Sequence, residues 1–249
     1  MNALVVGGSN GIGLSIVIKL LNDNNVNNVI VVDRNLFPEE YKCDKIEFIQ
    51  YDLLNFKDST ELIFCQDIDA LYITAGFGHL DYFQNFSDSY VNNIFQVNAI
   101  SPILFIKKFY QKLLNKENFY CCVMVSIAGR LNSPMFSLYS ASKAALSKFI
   151  EAINVELDVQ GSKNRVLEVS PGSLKGTSFN GAVSDPMLTI DLATAIIDKT
   201  MQREQLFIPE YDSIFKNVID RYHADAHKFG VDSYLYKQDR ITNKENSFL

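Results

Sequence analysis

Three groups of residues in this chain have types and spacings suited to chemistry. The first is Gly7-Gly8-Ser9-Asn10-Gly11-Ile12-Gly13, which follows an apolar run and precedes a helical pattern. Glycines permit tight turns and let an anion approach the backbone closely. Free N–H groups and the helix dipole at such a place favour a pyrophosphate. The spacing is Gly-x-x-x-Gly-x-Gly rather than GxGxxG, and a purely structural turn is the alternative reading. The second group is acidic. Asp33 stands 20 residues beyond Gly13 and ends the second apolar run. A carboxylate there accepts hydrogen bonds from ribose hydroxyls and repels a 2′-phosphate, unless it only caps its turn. Arg34 follows it, and Ser9 and Asn10 add no positive charge, so the balance favours NAD over NADP. Asp52 and Leu53 end the third run in the same way, at the place of an adenine contact or a loop cap. The third group is Tyr139-Ser140-Ala141-Ser142-Lys143, a phenol and an ammonium at i and i+4 on one helix face. With 12 tyrosines in the chain such a pair is weak alone, and Tyr41 and Lys45 repeat it in a polar connection.

The elements that position these groups are legible as alternation. Ala3–Val6, Asn27–Asp33, Ile46–Tyr51, Ile68–Thr74, Asn118–Ser126, Arg165–Val169 and Gln205–Ile208 read as buried strands. Helical spacing fills Ile12–Asn22, Lys57–Cys65, Ser89–Asn115, Ser137–Gln160 and Ile190–Gln202. Strands apolar on both faces, separated by helices, form a parallel sheet covered on both sides. Right-handed crossovers wind it doubly into three α/β/α layers of about seven strands. One domain over residues 1–249 is expected, with 211–249 as a C-terminal helix, Asp212–Phe229, and a polar tail, Ile241–Leu249, that frays. Tyr139 then opens the helix after the fifth strand, near the C-terminal sheet edge where such folds bind ligands. Ser126 ends that strand, and Asn98 lies in the preceding long helix.

In family order, Gly7–Gly13, Asp33, Asp52, Thr74-Ala75-Gly76, Val97-Asn98, Ser126-Ile127-Ala128-Gly129, Tyr139–Lys143 with Ala144-Ala145, and Ser170-Pro171-Gly172 run from about Ala3 to Pro209. Together they resemble the short-chain dehydrogenase/reductase family, in its short single-domain branch. The resemblance implies a Rossmann fold and hydride transfer between NAD(P) and a carbonyl/alcohol substrate. It makes Tyr139 the acid in reduction and the base in oxidation. An ordinary phenol pKa near 10 is too high for that base, and Lys143 is expected to lower it and to hold the nicotinamide ribose. Ser126 fixes the substrate oxygen, and Asn98 helps order a proton-relaying water. Gly7, Ser9, Asn10, Gly11, Ile12, Gly13, Asp33, Arg34, Asp52, Leu53, Ala75, Gly76, Pro171, Gly172 and Thr177 join Tyr139 and Lys143 around the cofactor. The bland readings are a strand-end turn for Ser126 and Pro171-Gly172, and an internal helix residue for Asn98. The chain departs from the pattern in placing Ile73-Thr74 where two asparagines are usual. Val6 stands in a threonine position, and Gly176 precedes Thr177 where the threonine normally falls. The resemblance also implies a homodimer or homotetramer built on the two long helices.

The substrate is less legible. Phe77, Gly78, His79, Leu80, Met135, Phe136 and a lid from Leu174 to Met187 are candidate walls. They are apolar and aromatic without an arginine cluster, so a neutral or apolar carbonyl or alcohol is expected. The other classes weighed are a non-catalytic dinucleotide-binding regulator and a longer-branch nucleotide-sugar epimerase or dehydratase. Tyr139, Lys143 and Ser126 speak against the first, and the absence of a substrate domain against the second.

Composition narrows the field further. Of 249 residues 47% are hydrophobic, which excludes a wholly disordered chain. The formal charge of −6 argues against a nucleic-acid or anionic-membrane partner. No membrane-length apolar run and no secretory signal is visible, so a cytoplasmic protein is expected. The four cysteines, Cys43, Cys65, Cys121 and Cys122, form no CxxC pair and read as thiols of a reducing compartment. His223 and His227, spaced i and i+4 on the last helix, have the spacing of metal ligands but read as a solvated face, and no metal is expected.

Overall fold

The computed structural model describes residues 1–55, 67–115, 118–177, 179 and 184–246. Seven strands are found among them: β1 (Asn2–Val6), β2 (Asn28–Asp33), β3 (Ile46–Gln50), β4 (Ala70–Ile73), β5 (Tyr120–Met124), β6 (Val166–Val169) and β7 (Leu206–Phe207). All pair in parallel, in the order 3-2-1-4-5-6-7. The chain reverses direction across the sheet between β3 and β4, and β1 lies against β4 with Val6 opposite Ile73. Loops leaving β1 and β4 therefore diverge from a common edge, which opens a crevice there.

Side-chain alternation builds a separate apolar layer on each face. Leu4, Val6, Ile30, Val32, Leu71, Ile73, Cys121 and Val123 point to one side, under α3 (Ser101–Leu114) and α4 (Ser137–Val159). Ala3, Val5, Val29, Val31, Tyr72, Cys122 and Leu167 point to the other, under α1 (Gly11–Leu21) and α5 (Ile190–Met201). The adjacent cysteines thus belong to opposite layers, and burial raises the pKa of both thiols.

Three features differ from the sequence expectation. The single helix over Ser89–Asn115 is α2 (Asp88–Phe95) joined to α3 through a π-turn at Gln96–Ile100. Asn98 sits in that turn, and such widened turns accompany functional sites. The C-terminal helix breaks in two. α6 (Lys216–Ala224) stops at Asp225, whose extended backbone and side chain start α7 (Ala226–Asn246) by accepting from Lys228 N at 2.9 Å. His223 and His227 therefore do not share a helix face. The segment expected to fray is helical through Asn246. The helix expected at Lys57–Cys65 lies outside the described residues.

Polar side chains close the loops against the sheet. Asn154 on α4 is buried and clamps Val166, donating to its carbonyl and accepting from its N–H, both at 2.9 Å. Leaving both backbone groups unpaired costs about 1–3 kcal/mol each. Asn154→Ala is expected to lower stability in urea unfolding by about 2–4 kcal/mol. A loss under about 0.5 kcal/mol, the range of an ordinary surface substitution, would mean that water replaces the clamp.

Candidate active site

A cavity of about 670 Å³ occupies the crevice at the C-terminal edge of the sheet. Gly7, Asn10, Gly11, Ile12, Gly13, Asp33, Arg34, Asp52, Leu53, Ala75, Gly76, Ser126, Tyr139, Lys143, Pro171, Gly172 and Thr177 all line it. Of the residues singled out by sequence, Ser9 and Asn98 stand behind the wall rather than on it.

At the glycine end, Gly13 packs directly on the Gly7 carbonyl, so a side chain at 13 would collide with it. Thr74 Oγ1 donates to the carbonyls of Val6 and Gly7, each at 3.0 Å. The threonine found where asparagine was expected thus ties β4 to the turn. Asn10 caps α1 through Gly11 N at 2.7 Å, and Ser184 Oγ accepts from the same N–H at 3.1 Å. Asp33 is buried and accepts from Ser9 N (3.0 Å) and Asn35 N (2.9 Å), which fixes its carboxylate at the cavity wall with further lone pairs available. Ser9 Oγ is buried with no partner among the described residues. An orphan hydroxyl beside a glycine cradle and an oriented carboxylate is the donor and acceptor set that a dinucleotide's phosphates and ribose require. Asp52 accepts from Leu54 N at 3.0 Å, so it caps its loop while lining the cavity.

At the other end, Tyr139, Ser126 and Lys143 converge from two elements. β5 stops at Met124 and delivers Ser126, whose Oγ accepts from Ala128 N at 3.2 Å. It also stands near enough to the Tyr139 phenol to favour its ionised form. α4 brings Tyr139 and Lys143 one turn apart, with Nζ 5.9 Å from the phenol ring centroid. Lys143 is 2% exposed and donates to the Met124 carbonyl at 2.8 Å. Burial draws its pKa down to about 7. Burial pushes the Tyr139 phenol up to about 12, against the opposing effect of Ser126. In the protein by itself the phenol is thus raised rather than lowered: desolvation outweighs the lowering by Ser126, and Tyr139 holds its proton at neutral pH.

Asn98 shows what its burial is for. Its amide donates to the Phe77 carbonyl (2.8 Å) and accepts from Phe77 N (3.0 Å). It also donates to Ser142 Oγ at 3.1 Å, so the side chain braces the loop after β4 against α4. With its amide engaged in this way, the side chain orients the Phe77 backbone.

Other residues escaped the sequence reading. Glu168, buried on β6, accepts from Arg130 Nε (3.1 Å) and Nη2 (2.7 Å), Ser170 (2.7 Å) and Ser147 (2.9 Å). This pins the turn that follows Ser126 to α4. Phe215, just before α6, covers Gly172, where any side chain would strike its ring. Phe136 and Phe179 lie with ring centroids 4.6 and 5.0 Å from Tyr139 and wall the cavity. Lys237 of α7 reaches the same wall. Phe77, Gly78, Phe136 and Leu174 line it as expected, whereas His79, Leu80 and Met135 do not. No simple pattern in the sequence marks Lys237 or Phe215, because the segments that carry them fold back over the site from far along the chain. Glu168 had a signal, a charge inside an apolar strand.

A buried ammonium without a carboxylate sets a pH dependence. Folded Lys143 titrates near 7, against 10.5 for an ordinary lysine. Between those values the unfolded chain binds a proton that the folded chain lacks, so stability rises with pH across that window. Below it the folded protein bears the full cost of the buried charge. Lys143→Met keeps the shape and removes the charge. Its Tm is expected to exceed that of the wild type by several degrees at about pH 6, with the gap narrowing toward about pH 10. Parallel melting curves for the two proteins across that range would refute the buried charge.

The comparisons with known proteins agree with this geometry. A model of the short chain dehydrogenase family matches residues 1–187. An uncharacterized oxidoreductase of Saccharomyces cerevisiae, TDA5, is 27% identical over 186 residues, covering 72% of this chain and 56% of its own length. The chain thus spans little more than half of that relative. Two crystal structures share the fold. A short chain dehydrogenase/reductase from Burkholderia phymatum in complex with NAD has a TM-score of 0.76 at 16% identity, with 90% of this chain and 93% of that one covered. A short chain dehydrogenase from Burkholderia cenocepacia in complex with NADP has a TM-score of 0.74 at 18% identity, with 93% and 96% covered. No described helix is long and apolar enough to cross a membrane. With a seven-stranded parallel sheet and the family's segments in order along it, the chain belongs to the short chain dehydrogenase family, an oxidoreductase family acting with NAD(P) on CH–OH and C=O groups.

Proposed function

We propose that this protein reduces a small carbonyl compound, or oxidises the matching alcohol, with Tyr139 as its acid/base. The observation that carries the proposal is the pair of buried hydroxyls, Ser126 and Tyr139, lining one cavity beside Lys143. A bound nicotinamide supplies or accepts the hydride. A carbonyl oxygen seated between the two hydroxyls receives two hydrogen bonds, which strengthen as negative charge develops on it. Tyr139 gives its proton to that oxygen, and the high pKa of the buried phenol keeps the proton available at neutral pH. Lys143 uses one N–H on Met124 and directs the others toward a ribose and the phenol. Ala75, Gly76, Pro171, Gly172 and Thr177 are proposed to flank the nicotinamide half, and the glycine turn the pyrophosphate.

NAD is the proposed partner of Asp33. Its carboxylate, oriented by two backbone N–H groups, accepts from vicinal ribose hydroxyls and repels a 2′-phosphate. Arg34 lines the same cavity without offsetting that acceptor geometry, and the fold neighbours include both NAD and NADP complexes. The chain is proposed to act as a single domain and as a homodimer or homotetramer. Val155 and Val159 support this assembly, since α4 leaves them 61% and 82% exposed. A cytoplasmic setting is supported by the buried free thiols Cys121 and Cys122.

Two variants test these roles. Tyr139→Phe is expected to lower kcat by about 10²–10⁴ while NADH binding stays near wild type. Full turnover in that variant would remove Tyr139 from the chemical step. Asp33→Ala is expected to shift the NADH/NADPH ratio of kcat/KM toward NADPH by about tenfold or more, the worth of a charge-assisted hydrogen bond. An unchanged ratio would mean that Asp33 does not read the ribose.

A further inference from the structure

α7 lies over the substrate end of the cavity. Asn132 donates to the Ala226 carbonyl at 2.7 Å, and Gly230 packs against the same asparagine. Tyr234 meets Tyr82 edge-on with centroids 6.5 Å apart, and Gln238 donates to the Tyr82 hydroxyl at 3.4 Å. The helix thereby bridges the loop after β4 and the loop before α4, and it turns Lys237 inward. Lys237 Nζ donates to Ser133 Oγ at 2.6 Å and to the Pro134 carbonyl at 2.9 Å. Lys237 and Ser133 both line the cavity, and the ring of Phe136, three residues on, packs at a tilt against Tyr139. Among the described residues no carboxylate pairs with Lys237.

An ammonium carries three donors. Two are taken by fixed neutral acceptors, which leaves one donor and the whole positive charge facing the cavity. Burial without a counter-ion draws its pKa to about 8, so it is mostly cationic at neutral pH. A lysine held in this way, rather than extended into solvent, awaits an anion. One spare donor suits a carboxylate; a phosphate dianion is usually gripped by several donors or by an arginine fork.

We infer that Lys237 is the specificity-determining residue of the substrate pocket, and that the substrate is a carbonyl or alcohol compound carrying a carboxylate at its far end. Phe136 and Phe179, in edge-to-face contact with each other, wall the apolar middle, and the reacting carbon lies toward Tyr139. This rests on the oxidoreductase reading above, and it replaces the neutral substrate expected from sequence. The loss of one charge-assisted contact corresponds to about tenfold to hundredfold in affinity.

The test uses 4-formylbenzoate and its methyl ester, equal in reacting group and differing in charge. Binding is measured by calorimetry on the protein with and without NADH, and turnover by NADH absorbance. The acid is expected to bind wild type at least tenfold more tightly than the ester. Lys237→Met is expected to erase the preference, mainly through KM, by weakening the acid at least tenfold more than the ester, while NADH binding stays near wild type. Lys237→Arg, which keeps the charge, is expected to retain a preference for the acid, and this separates lost charge from lost folding. Equal binding of acid and ester to wild type, no binding of either, or an equal effect of Lys237→Met on both overturns the inference. Acid-selective binding without any turnover would support Lys237 and count against the oxidoreductase reading instead.

Discussion

At the meeting point of β5 and α4, a lysine ammonium lies in the interior with one backbone carbonyl as its hydrogen-bond partner among the described residues. Lys143 is held 2.8 Å from the Met124 oxygen, and burial draws its pKa to about 7. The surroundings are arranged to tolerate this. β5 ends at Met124, so the carbonyl of its last residue faces inward. Gly129 lets the following turn press on the backbone of Lys143 itself, where a Cβ would lie 2.8 Å from its carbonyl carbon. Gly76 leaves space beside Nζ, where a Cβ would lie at 3.2 Å. The two apolar layers supply the stability that offsets one unfavourable charge. A lysine whose pKa sits near neutrality is also one whose proton moves readily, which is what a relay to a phenol needs.

A parallel sheet leaves the last N–H and C=O groups of its strands without partners at the edge where ligands bind. Here polar side chains complete that edge. Thr74 holds Val6 and Gly7, Asn98 holds both polar groups of Phe77, and Glu168 holds Arg130 beyond Ser126. Each fastens a loop that carries a wall of the cavity. The loops owe their shape to these fixed contacts, so the cavity is formed before any ligand enters it.

The strands and helices were readable because their apolar patterns are strong and local. Val29-Ile30-Val31-Val32 has no solvent face, and the structure buries all four. The glycine turn, Asp33, Ser126, Tyr139 and Lys143 were likewise readable, since a strand end or a helix turn places each of them. What could not be read depends on the balance of environment. The direction of the Tyr139 shift follows from desolvation, which no spacing records. Asn98 has the same identity in a regular helix and in the π-turn at Gln96–Ile100, and only the fold shows that its amide meets Phe77. The break at Asp225 hides inside an amphipathic run, because an aspartate N-cap and an ordinary polar face residue look alike until the chain bends.

The division of labour along the chain follows from this. The segment that matches the family, residues 1–187, contains the whole phenol, hydroxyl and ammonium cluster and the glycine turn. The helices beyond it touch none of those three side chains by hydrogen bond among the described contacts. Instead they cover Gly172 with Phe215 and bring Lys237 to the open side of the pocket. A contact that engages only the remote end of a substrate is present in ground and transition state alike, so it tunes which molecule binds rather than how fast the bond breaks. Because α7 is anchored to loops rather than to the sheet, its side chains can change without disturbing Lys143 and its carbonyl. Chemistry and selectivity are thus built on separate parts of the fold, joined through the loops that α7 bridges, among them the one at Ser133.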